Sequence, residues 1–164
     1  MAKRLFIDLE ELRKNEIPVK CSYLYHPDNN GVLTLRELAT YAVICRQCEL
    51  ANCIEACPKE ALEKQENGVL KRYNLRCIGC KSCSIACPFG TILPELLPFY
   101  TAGCDFCLGR TPEVDVPDCV KSSPGNAIEY REVEEDPKNG IYFVGEHLAV
   151  RAANFKAKLA EELK

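Results

Sequence analysis

Residues 77–88 read Cys77-Ile-Gly-Cys80-Lys-Ser-Cys83-Ser-Ile-Ala-Cys87-Pro88. Cysteines at intervals of three let a tight loop wrap a cube of iron and sulfide, with backbone N–H groups turned toward the anionic core. Gly79 permits a close approach of the backbone, and Pro88 ends the loop. In such a run the first three thiolates hold one [4Fe–4S] cluster, and the fourth holds the other cluster of a pair. The stretch therefore predicts a fold built around paired clusters.

A second four-cysteine run lies upstream and reads Cys45-Arg-Gln-Cys48-Glu-Leu-Ala-Asn-Cys53-Ile-Glu-Ala-Cys57-Pro58. Because the closing cysteine of each run serves the other cluster, the two runs predict two crossed ligand sets. The first set is Cys45, Cys48, Cys53 and Cys87. The second set is Cys57, Cys77, Cys80 and Cys83. Zinc knuckles also use Cys-x-x-Cys pairs, but they have little use for two runs that end in Cys-Pro.

The closing phrase of these runs occurs a third time, with a substitution. Its copies are Cys57-Pro-Lys-Glu-Ala-Leu62, Cys87-Pro-Phe-Gly-Thr-Ile92 and Ser123-Pro-Gly-Asn-Ala-Ile128. Of the twelve cysteines, the four outside the two runs form the third set: Cys21, Cys104, Cys107 and Cys119. Three of them precede Ser123 as ligands of the third copy, and Cys21 is the thiol left to be the fourth. The third set predicts a third cluster. A four-thiolate zinc site and buried thiols without a metal are the alternatives.

Composition narrows the choice of partner and compartment. A net charge of −3 argues against nucleic acid, because neutralising phosphates needs a clustered surplus of Lys and Arg. Pro94 and Pro98 interrupt the most apolar run, and no stretch approaches the roughly 18 apolar residues that span a bilayer. The N-terminus lacks the apolar core of a signal peptide. The expectation is a cytoplasmic protein, with no membrane insertion, whose cysteines are metal ligands rather than disulfides.

The elements predicted around the loops are short. Strands are expected over Val69–Tyr73 and Ala127–Val133, and one-turn helices are expected to start at the proline of each closing phrase. Leu9–Lys14 predicts a short helix. A capping box at Thr34 predicts a helix through Val43, with a strand entering Cys45 as the alternative. Apolar spacing predicts an amphipathic helix over Glu146–Leu163.

Residues 21–130, through all twelve cysteines, resemble the polyferredoxin-type iron–sulfur subunits of complex oxidoreductases, in which two ferredoxin-like pairs lie in one small chain. Such subunits accompany molybdenum- or tungsten-pterin enzymes, including formate dehydrogenases, dimethyl sulfoxide reductases and relatives of aldehyde ferredoxin oxidoreductase. The missing first motif and Ser123 depart from that family. The resemblance thus implies three [4Fe–4S] clusters where many relatives have four.

The expected fold class is α+β, with tandem bacterial-ferredoxin-like modules, short strands and helices, and a C-terminal extension. The expected division has four parts. They are an N-terminal segment with the remnant of a first motif (residues 1–44), a two-cluster module (45–100), a third cluster-binding module packed with the N-terminal segment (101–135) and a docking arm (136–164).

A narrower resemblance rests on phrases outside the ligand runs. Cys21-Ser-Tyr-Leu-Tyr-His-Pro27, the segment 29–38 and Ile141-Tyr-Phe-Val-Gly-Glu-His-Leu148 are similar to the small iron–sulfur subunit of tungsten-dependent, ATP-independent benzoyl-CoA reductases. That resemblance implies a role in the dearomatisation of benzoyl-CoA.

The functional hypothesis is an electron relay without catalytic residues of its own, because every cluster iron already has a cysteine ligand. The implied partners are a large catalytic subunit with a tungsten or molybdenum pterin, together with further electron-transfer subunits. The alternatives are a free-standing soluble polyferredoxin, a subunit of a formate dehydrogenase, aldehyde oxidoreductase or hydrogenase, and a protein whose clusters are structural. Within the loops, Lys81 and Arg46 could raise reduction potentials, or could be ordinary solvated residues.

Overall fold

A computed structural model describes residues 3–14, 21, 31–97, 103–107 and 116–153. Its helices are α1 (Leu9–Lys14), α2 (Gly31–Ala39), α3 (Asn52–Glu55), α4 (Ser82–Ala86) and α5 (Asp118–Lys121), with a π-helical turn over Thr40–Ile44 and 3-10 turns over Pro94–Leu96, Pro124–Asn126 and Pro137–Asn139. Its strands are β1 (Lys3–Asp8), β2 (Leu62–Lys64), β3 (Leu70–Arg72), β4 (Ile128–Glu132), β5 (Ile141–Val144) and β6 (Leu148–Arg151). This mixture confirms the α+β class, whereas the tandem modules and the four-part division stay predictions.

The larger sheet joins the two ends of the described chain. Its strand order is β4-β1-β6-β5, with β1 antiparallel to β4 and parallel to β6, and with β5 and β6 antiparallel. Because side chains alternate along a strand, Leu5 and Ile7 face one side while Phe6 faces the other. Leu148 and Val150 share the first face with Leu5 and Ile7 in one buried cluster. The sheet therefore has apolar residues on both faces of its two central strands.

Helices α1 and α2 cover the first face of this sheet. Leu12 of α1 and Val32 and Leu35 of α2 are buried in the same apolar cluster as Ile7. The second face has a smaller cluster of Phe6, Val133 and Ala149. Burying a large aliphatic side chain stabilises a fold by about 1.5–3 kcal/mol, so the first face carries most of the apolar stabilisation of this part of the chain.

The C-terminal helix predicted from Glu146 is wrong over Leu148–Arg151, which form strand β6 between β1 and β5. Leu148, Ala149 and Val150 are 0% exposed, because both faces of this strand are covered. Continuous burial removes the polar-apolar alternation by which a strand is usually recognised. The remainder of the predicted helix, from residue 154 onward, lies outside the described residues.

A smaller unit forms around the hairpin of β2 and β3. Leu62 pairs with Arg72 and Lys64 pairs with Leu70 in this antiparallel hairpin. Its buried Leu62 and Leu70 join a second apolar cluster that also includes Tyr41, Ile92 and Leu97, together with Cys45 and Cys83. The cysteine loops thus take part in the core of this unit. Strand β3 falls within the strand predicted over Val69–Tyr73, which confirms that prediction.

Helix α2 and the π-helical turn connect the two apolar clusters. Ala39 and Val43 belong to the first cluster and Tyr41 to the second, and the Cys45 N–H closes the turn by donating to the Thr40 carbonyl at 2.8 Å. A π-helical turn inserts an extra residue and rotates the side chains that follow it. The helix predicted through Val43 is confirmed, but it begins at Gly31, so Thr34 lies inside α2 rather than at its cap.

The short helices of the cysteine runs differ in position from the prediction. Helices α3, α4 and α5 come before the closing phrases, and Pro58 and Pro88 stand in turns. At the third closing phrase, Gly125 and Asn126 have left-handed φ values of 66° and 59°, so Pro124 also begins a turn rather than a regular helix. The helices begin beside the third cysteine of each group, where the loop has completed its turn.

Within the described residues no helix is long and apolar enough to cross a bilayer.

Asp8 lies where β1 meets α1, and its side chain is expected to contribute to the free energy of unfolding. Its Oδ1 accepts the N–H groups of Glu10 (3.0 Å) and Glu11 (3.2 Å), and its Oδ2 accepts a hydrogen bond from Arg151 (3.1 Å). We expect Asp8→Ala to lower the free energy of unfolding by about 1–2 kcal/mol, because two helix N–H groups lose their acceptor. Asp8→Asn retains a capping oxygen and is expected to cost about 0–1 kcal/mol, since the Arg151 side chain is more than half exposed. Urea unfolding of both variants tests this, and equal losses would contradict the capping role.

Candidate metal centres

One cavity is surrounded by the thiols of the first set. Its lining includes Cys45, Cys48, Cys53 and Cys87. Cys45 follows the π-helical turn, Cys53 lies on α3 and Cys87 follows α4. The structure thus brings a closing cysteine of one run beside three cysteines of the other run, as the crossed rule predicts. Their role as ligands stays a prediction.

A second cavity is surrounded by the thiols of the second set. Its lining includes Cys57, Cys77, Cys80 and Cys83. Helices α3 and α4 pack against each other. Helix α3 carries Cys53, which lines the first cavity, and is followed by Cys57, which lines the second. Helix α4 carries Cys83, which lines the second cavity, and is followed by Cys87, which lines the first. The crossing of the two sets therefore follows from the packing of two one-turn helices.

The third set is also gathered in space. The thiols of Cys21 and Cys107 lie near enough to Cys104 and Cys119 to raise the pKa of both, although burial is the larger cause. A Cβ placed on Gly31 would lie 3.3 Å from the Cys21 sulfur and 3.8 Å from the Cys104 Cβ. The start of α2 therefore packs tightly against this set, and any side chain at position 31 would press on it.

The Cys-x-x-Cys loops share one backbone feature. The residue before the second cysteine has a positive φ in all three loops: 51° at Gln47, 67° at Gly79 and 55° at Phe106. The N–H groups of Gln47 and Phe106 donate to the sulfur of the loop's first cysteine, both at 3.4 Å. Left-handed backbone costs a non-glycine residue about 1–2 kcal/mol. Despite this cost, the left-handed conformation is present in the loops, where it turns N–H groups toward sulfur.

The two closing phrases that begin with cysteine share a hydrogen bond to sulfur, and the third copy has a hydrogen bond to its serine hydroxyl from a donor one residue later. Ala61 donates to the Cys57 sulfur at 3.2 Å and Thr91 to the Cys87 sulfur at 3.4 Å. In the third copy, Ile128, which lies one residue later in the phrase than Ala61 and Thr91 do in theirs, donates to the Ser123 hydroxyl at 3.1 Å. Ser123 thus preserves the turn that a cysteine makes elsewhere. The third copy has lost a possible ligand but has kept its fold.

The environments of the thiols differ in their effect on ionisation. Burial raises the pKa of Cys83 and Cys104 to about 11 each, and that of Cys119 to about 12. Burial also acts to raise the pKa of Cys87, but hydrogen bonds from Phe89, Thr91 and Ile92 N–H groups outweigh it and lower the value. Buried thiols that keep their protons at neutral pH release them when a metal binds. The N–H donors favour the thiolate, which is the form that ligates metal.

The donor set and its spacing fit a cluster better than a single ion. Zinc would need four sulfurs within about 2.3 Å of one point. Four cysteines line each of the first two cavities, and backbone N–H groups donate to the sulfurs of Cys45, Cys57 and Cys87. Thiolates that accept N–H bonds around a cavity are the ligands that iron–sulfur clusters use. The arrangement is suited to one-electron transfer.

Sequence reasoning missed a charged pair beside the second cavity. Arg72, which lines that cavity, and Glu37 are both buried, whereas Lys81 and Arg46 are exposed. The capping-box interpretation gave the Glu37 side chain a hydrogen-bond partner within its own helix, but its carboxylate pairs with Arg72, 35 residues away. The available signal was the alternation of Leu70, Lys71 and Arg72 along β3, which places Arg72 on the buried face with Leu70.

Comparison with known proteins supports the same chemistry. The family described as the 4Fe-4S dicluster domain matches residues 37–133. The chain is 34% identical over 109 residues to the probable anaerobic dimethyl sulfoxide reductase chain YnfG of Escherichia coli, covering 66% of this chain and 53% of that relative. It is 34% identical over 94 residues to the thiosulfate reductase electron transfer subunit PhsB of Salmonella typhi, covering 57% of this chain and 49% of that relative. The putative electron transport protein YsaA of Escherichia coli is 39% identical over 98 residues, which cover 58% of this chain and 60% of that relative. The matches span about half to three fifths of the length of these relatives.

Proposed function

The chain belongs to the 4Fe-4S dicluster domain family, and from that premise we propose that it is the electron-transfer subunit of a pterin-dependent oxidoreductase. When bound, each [4Fe–4S] cluster would accept and release one electron at a time. The chain's own contribution is to hold the clusters, to shield them from water and to tune their potentials through hydrogen bonds and charge. The observation that carries the proposal is the grouping of four thiols around each of two cavities.

The proposed ligands are the three sets of cysteines. The first set would hold one cluster, the second set another and the third set a third, so that the chain carries three clusters. The N–H donors to Cys45, Cys57, Cys87 and Cys104 support thiolate ligation at each of them. The gathering of Cys21 with Cys104 and Cys119 supports the third cluster.

Replacement of Cys119 tests the third cluster. We expect Cys119→Ser to lower the iron content of anaerobically purified protein from about 12 to about 8 atoms per chain, because one cubane of four irons loses a ligand. Zinc should be absent from the wild type.

The matched control is Ser123→Ala, which removes a hydroxyl from the closing position of the same motif. It should leave the iron content unchanged, since Ser123 binds backbone and not metal in this proposal. If the wild-type protein contained about 8 irons and one zinc per chain, the third set would be a zinc site and not a cluster site.

The proposed partner is a large catalytic subunit that contains a molybdenum or tungsten pterin. The printed names of YnfG and PhsB, a dimethyl sulfoxide reductase chain and a thiosulfate reductase subunit, support an oxidoreductase complex. Within this class we propose tungsten and benzoyl-CoA dearomatisation as the narrower assignment, on the phrases at 21–27, 29–38 and 141–148. Further electron-transfer subunits and a cytoplasmic location belong to the same proposal.

Purification under anaerobic conditions from the native source tests the partner. A complex with a large subunit that contains tungsten and reduces benzoyl-CoA supports the narrower assignment. A large subunit with molybdenum and another activity supports the broader one. A chain that purifies alone with a full complement of clusters contradicts both, and favours the free-standing polyferredoxin.

A further inference from the structure

A buried ion pair lies outside the cysteine loops. The Arg72 Nε is 2.5 Å from one carboxylate oxygen of Glu37, and its Nη2 is 2.7 Å from the other. The two side chains are only 2% and 7% exposed. A pair of this kind gains little stability over well-packed apolar residues, because both charges lose their hydration. Its position in the molecule therefore becomes the more informative feature.

Arg72 belongs to the second cavity. It lines that cavity together with Cys57, Cys77, Cys80 and Cys83, whereas Glu37 does not. Burial acts to lower the pKa of Arg72, but its hydrogen bonds to Glu37 and to the Cys77 thiol, with the charges of both, outweigh burial and raise it. The guanidinium thus pairs with a carboxylate and lines the cavity of the second set, and its positive charge is fixed at neutral pH.

Glu37 fixes the orientation of that guanidinium. Its carboxylate accepts two hydrogen bonds from Arg72, a planar geometry that lysine cannot reproduce. Helix α2 and strand β3 each supply one member of the pair, so both are anchored to regular structure. The buried Tyr41 packs nearby, where Glu37 and Cys83 reinforce the effect of burial in raising its pKa, so its hydroxyl stays neutral.

The first cavity has no comparable buried charge among its described lining residues. Arg46 is exposed and lies over the Phe89 ring at 4.2 Å. Lys64 is half-buried and donates to the backbone carbonyl of Cys48 rather than to a sulfur. Solvent screens a charge at the surface far more than one in the interior. The two cavities therefore differ in the electrostatic field that they provide.

We propose that Arg72, oriented by Glu37, is a positioning residue that raises the reduction potential of the cluster held by the second set. This inference rests on the proposed electron-transfer function. With a cluster bound, reduction by one electron would add one negative charge at the second set. A buried guanidinium that lines the same cavity as Cys77 would stabilise the added charge, and local charge is a recognised determinant of cluster potential.

An EPR-monitored redox titration of the purified chain tests the proposal. The signal of the second-set cluster is first identified as the one that Cys80→Ser removes. We expect Arg72→Gln to lower the ratio of reduced to oxidised cluster at a fixed potential at least tenfold, which corresponds to a downward shift of about 59 mV or more. Glu37→Gln removes the opposing charge and should shift the same potential upward.

The matched control is Lys71→Gln, which removes a positive charge from the exposed face of the same strand. It should leave the second-set potential unchanged. An unchanged potential in Arg72→Gln would overturn the proposal, and so would shifts of the same direction in Arg72→Gln and Glu37→Gln, which indicate a merely structural role.

A double variant covers the case in which Arg72→Gln does not assemble its clusters because Glu37 is left buried and unpaired. Glu37→Gln combined with Arg72→Gln replaces the ion pair by two amides that can hydrogen-bond to each other. Its potential should lie below that of the wild type, since Arg72 lines the cavity of the second set and Glu37 does not, and an unchanged potential would contradict the inference. If the clusters assemble and take up electrons but these shifts are absent, only the proposed role of Arg72 is overturned. A wild-type chain that is free of iron or cannot be reduced overturns the proposed function itself.

Discussion

Replacement of Cys87 by serine is expected to remove the cluster of the first set, although Cys87 belongs to the same four-cysteine run as Cys77. The reason is the packing of α3 against α4, which places Cys87 at the cavity of Cys45 and Cys53. About 4 of about 12 irons should be lost, because a cubane that loses one of its four thiolates is expected not to persist through purification. Iron analysis and EPR of the reduced protein measure this effect.

The identity of the missing EPR signal decides between crossed and uncrossed ligation. In the crossed arrangement, Cys87→Ser lacks the same signal as Cys48→Ser, and the reciprocal variant Cys57→Ser lacks the same signal as Cys80→Ser. Uncrossed ligation reverses these pairings, so that Cys87→Ser would resemble Cys80→Ser. Because every variant is a cysteine-to-serine change at a cavity, general damage to folding cannot produce the crossed pattern.

Replacement of Leu148 by alanine is expected to give a large loss of stability. Leu148 is 0% exposed in β6, between β1 and β5. Removing a buried leucine side chain costs about 2–5 kcal/mol through lost burial and the cavity that remains. The urea midpoint of unfolding should fall accordingly. The effect would also distinguish a central strand from an exposed docking helix at this position.

The control for this prediction is Leu75→Ala, the same change at a side chain that is fully exposed. Its effect should stay within about 0.5 kcal/mol, as for most surface substitutions. Comparable losses of stability in the two variants would contradict the placement of β6 in the sheet.

The sequence predicted the cysteine loops well because their geometry is local. Intervals of two residues between cysteines determine a loop, and the recurring closing phrase identifies its end. Even the departure at Ser123 was visible, although the hydrogen bond from Ile128 to its hydroxyl could be seen only in the structure. The crossed sets were predicted from the same local rule. The packing of α3 against α4 brings the cysteines of each set to one cavity, and their role as ligands stays a prediction.

Long-range features could not be predicted in the same way. Strand β1 pairs with β6, more than 140 residues away, and nothing local to either strand reports the pairing. The spacing of Leu148 and Ala152 fits a helix, while the continuous burial of Leu148–Val150 hides the strand pattern. Glu37 and Arg72 would ordinarily be taken as surface residues, because charged side chains are rarely buried unless paired. Their pairing depends on how α2 packs against the hairpin.

A coulometric reductive titration of the anaerobically purified chain tests the central claim most directly. The chain is proposed to hold three one-electron clusters that serve electron transfer. We expect an uptake of about three electrons per chain at potentials within the range of iron–sulfur proteins, roughly −700 to +450 mV. An uptake of about two would remove the third cluster, and a chain that takes up no electrons in this range would contradict the electron-transfer function.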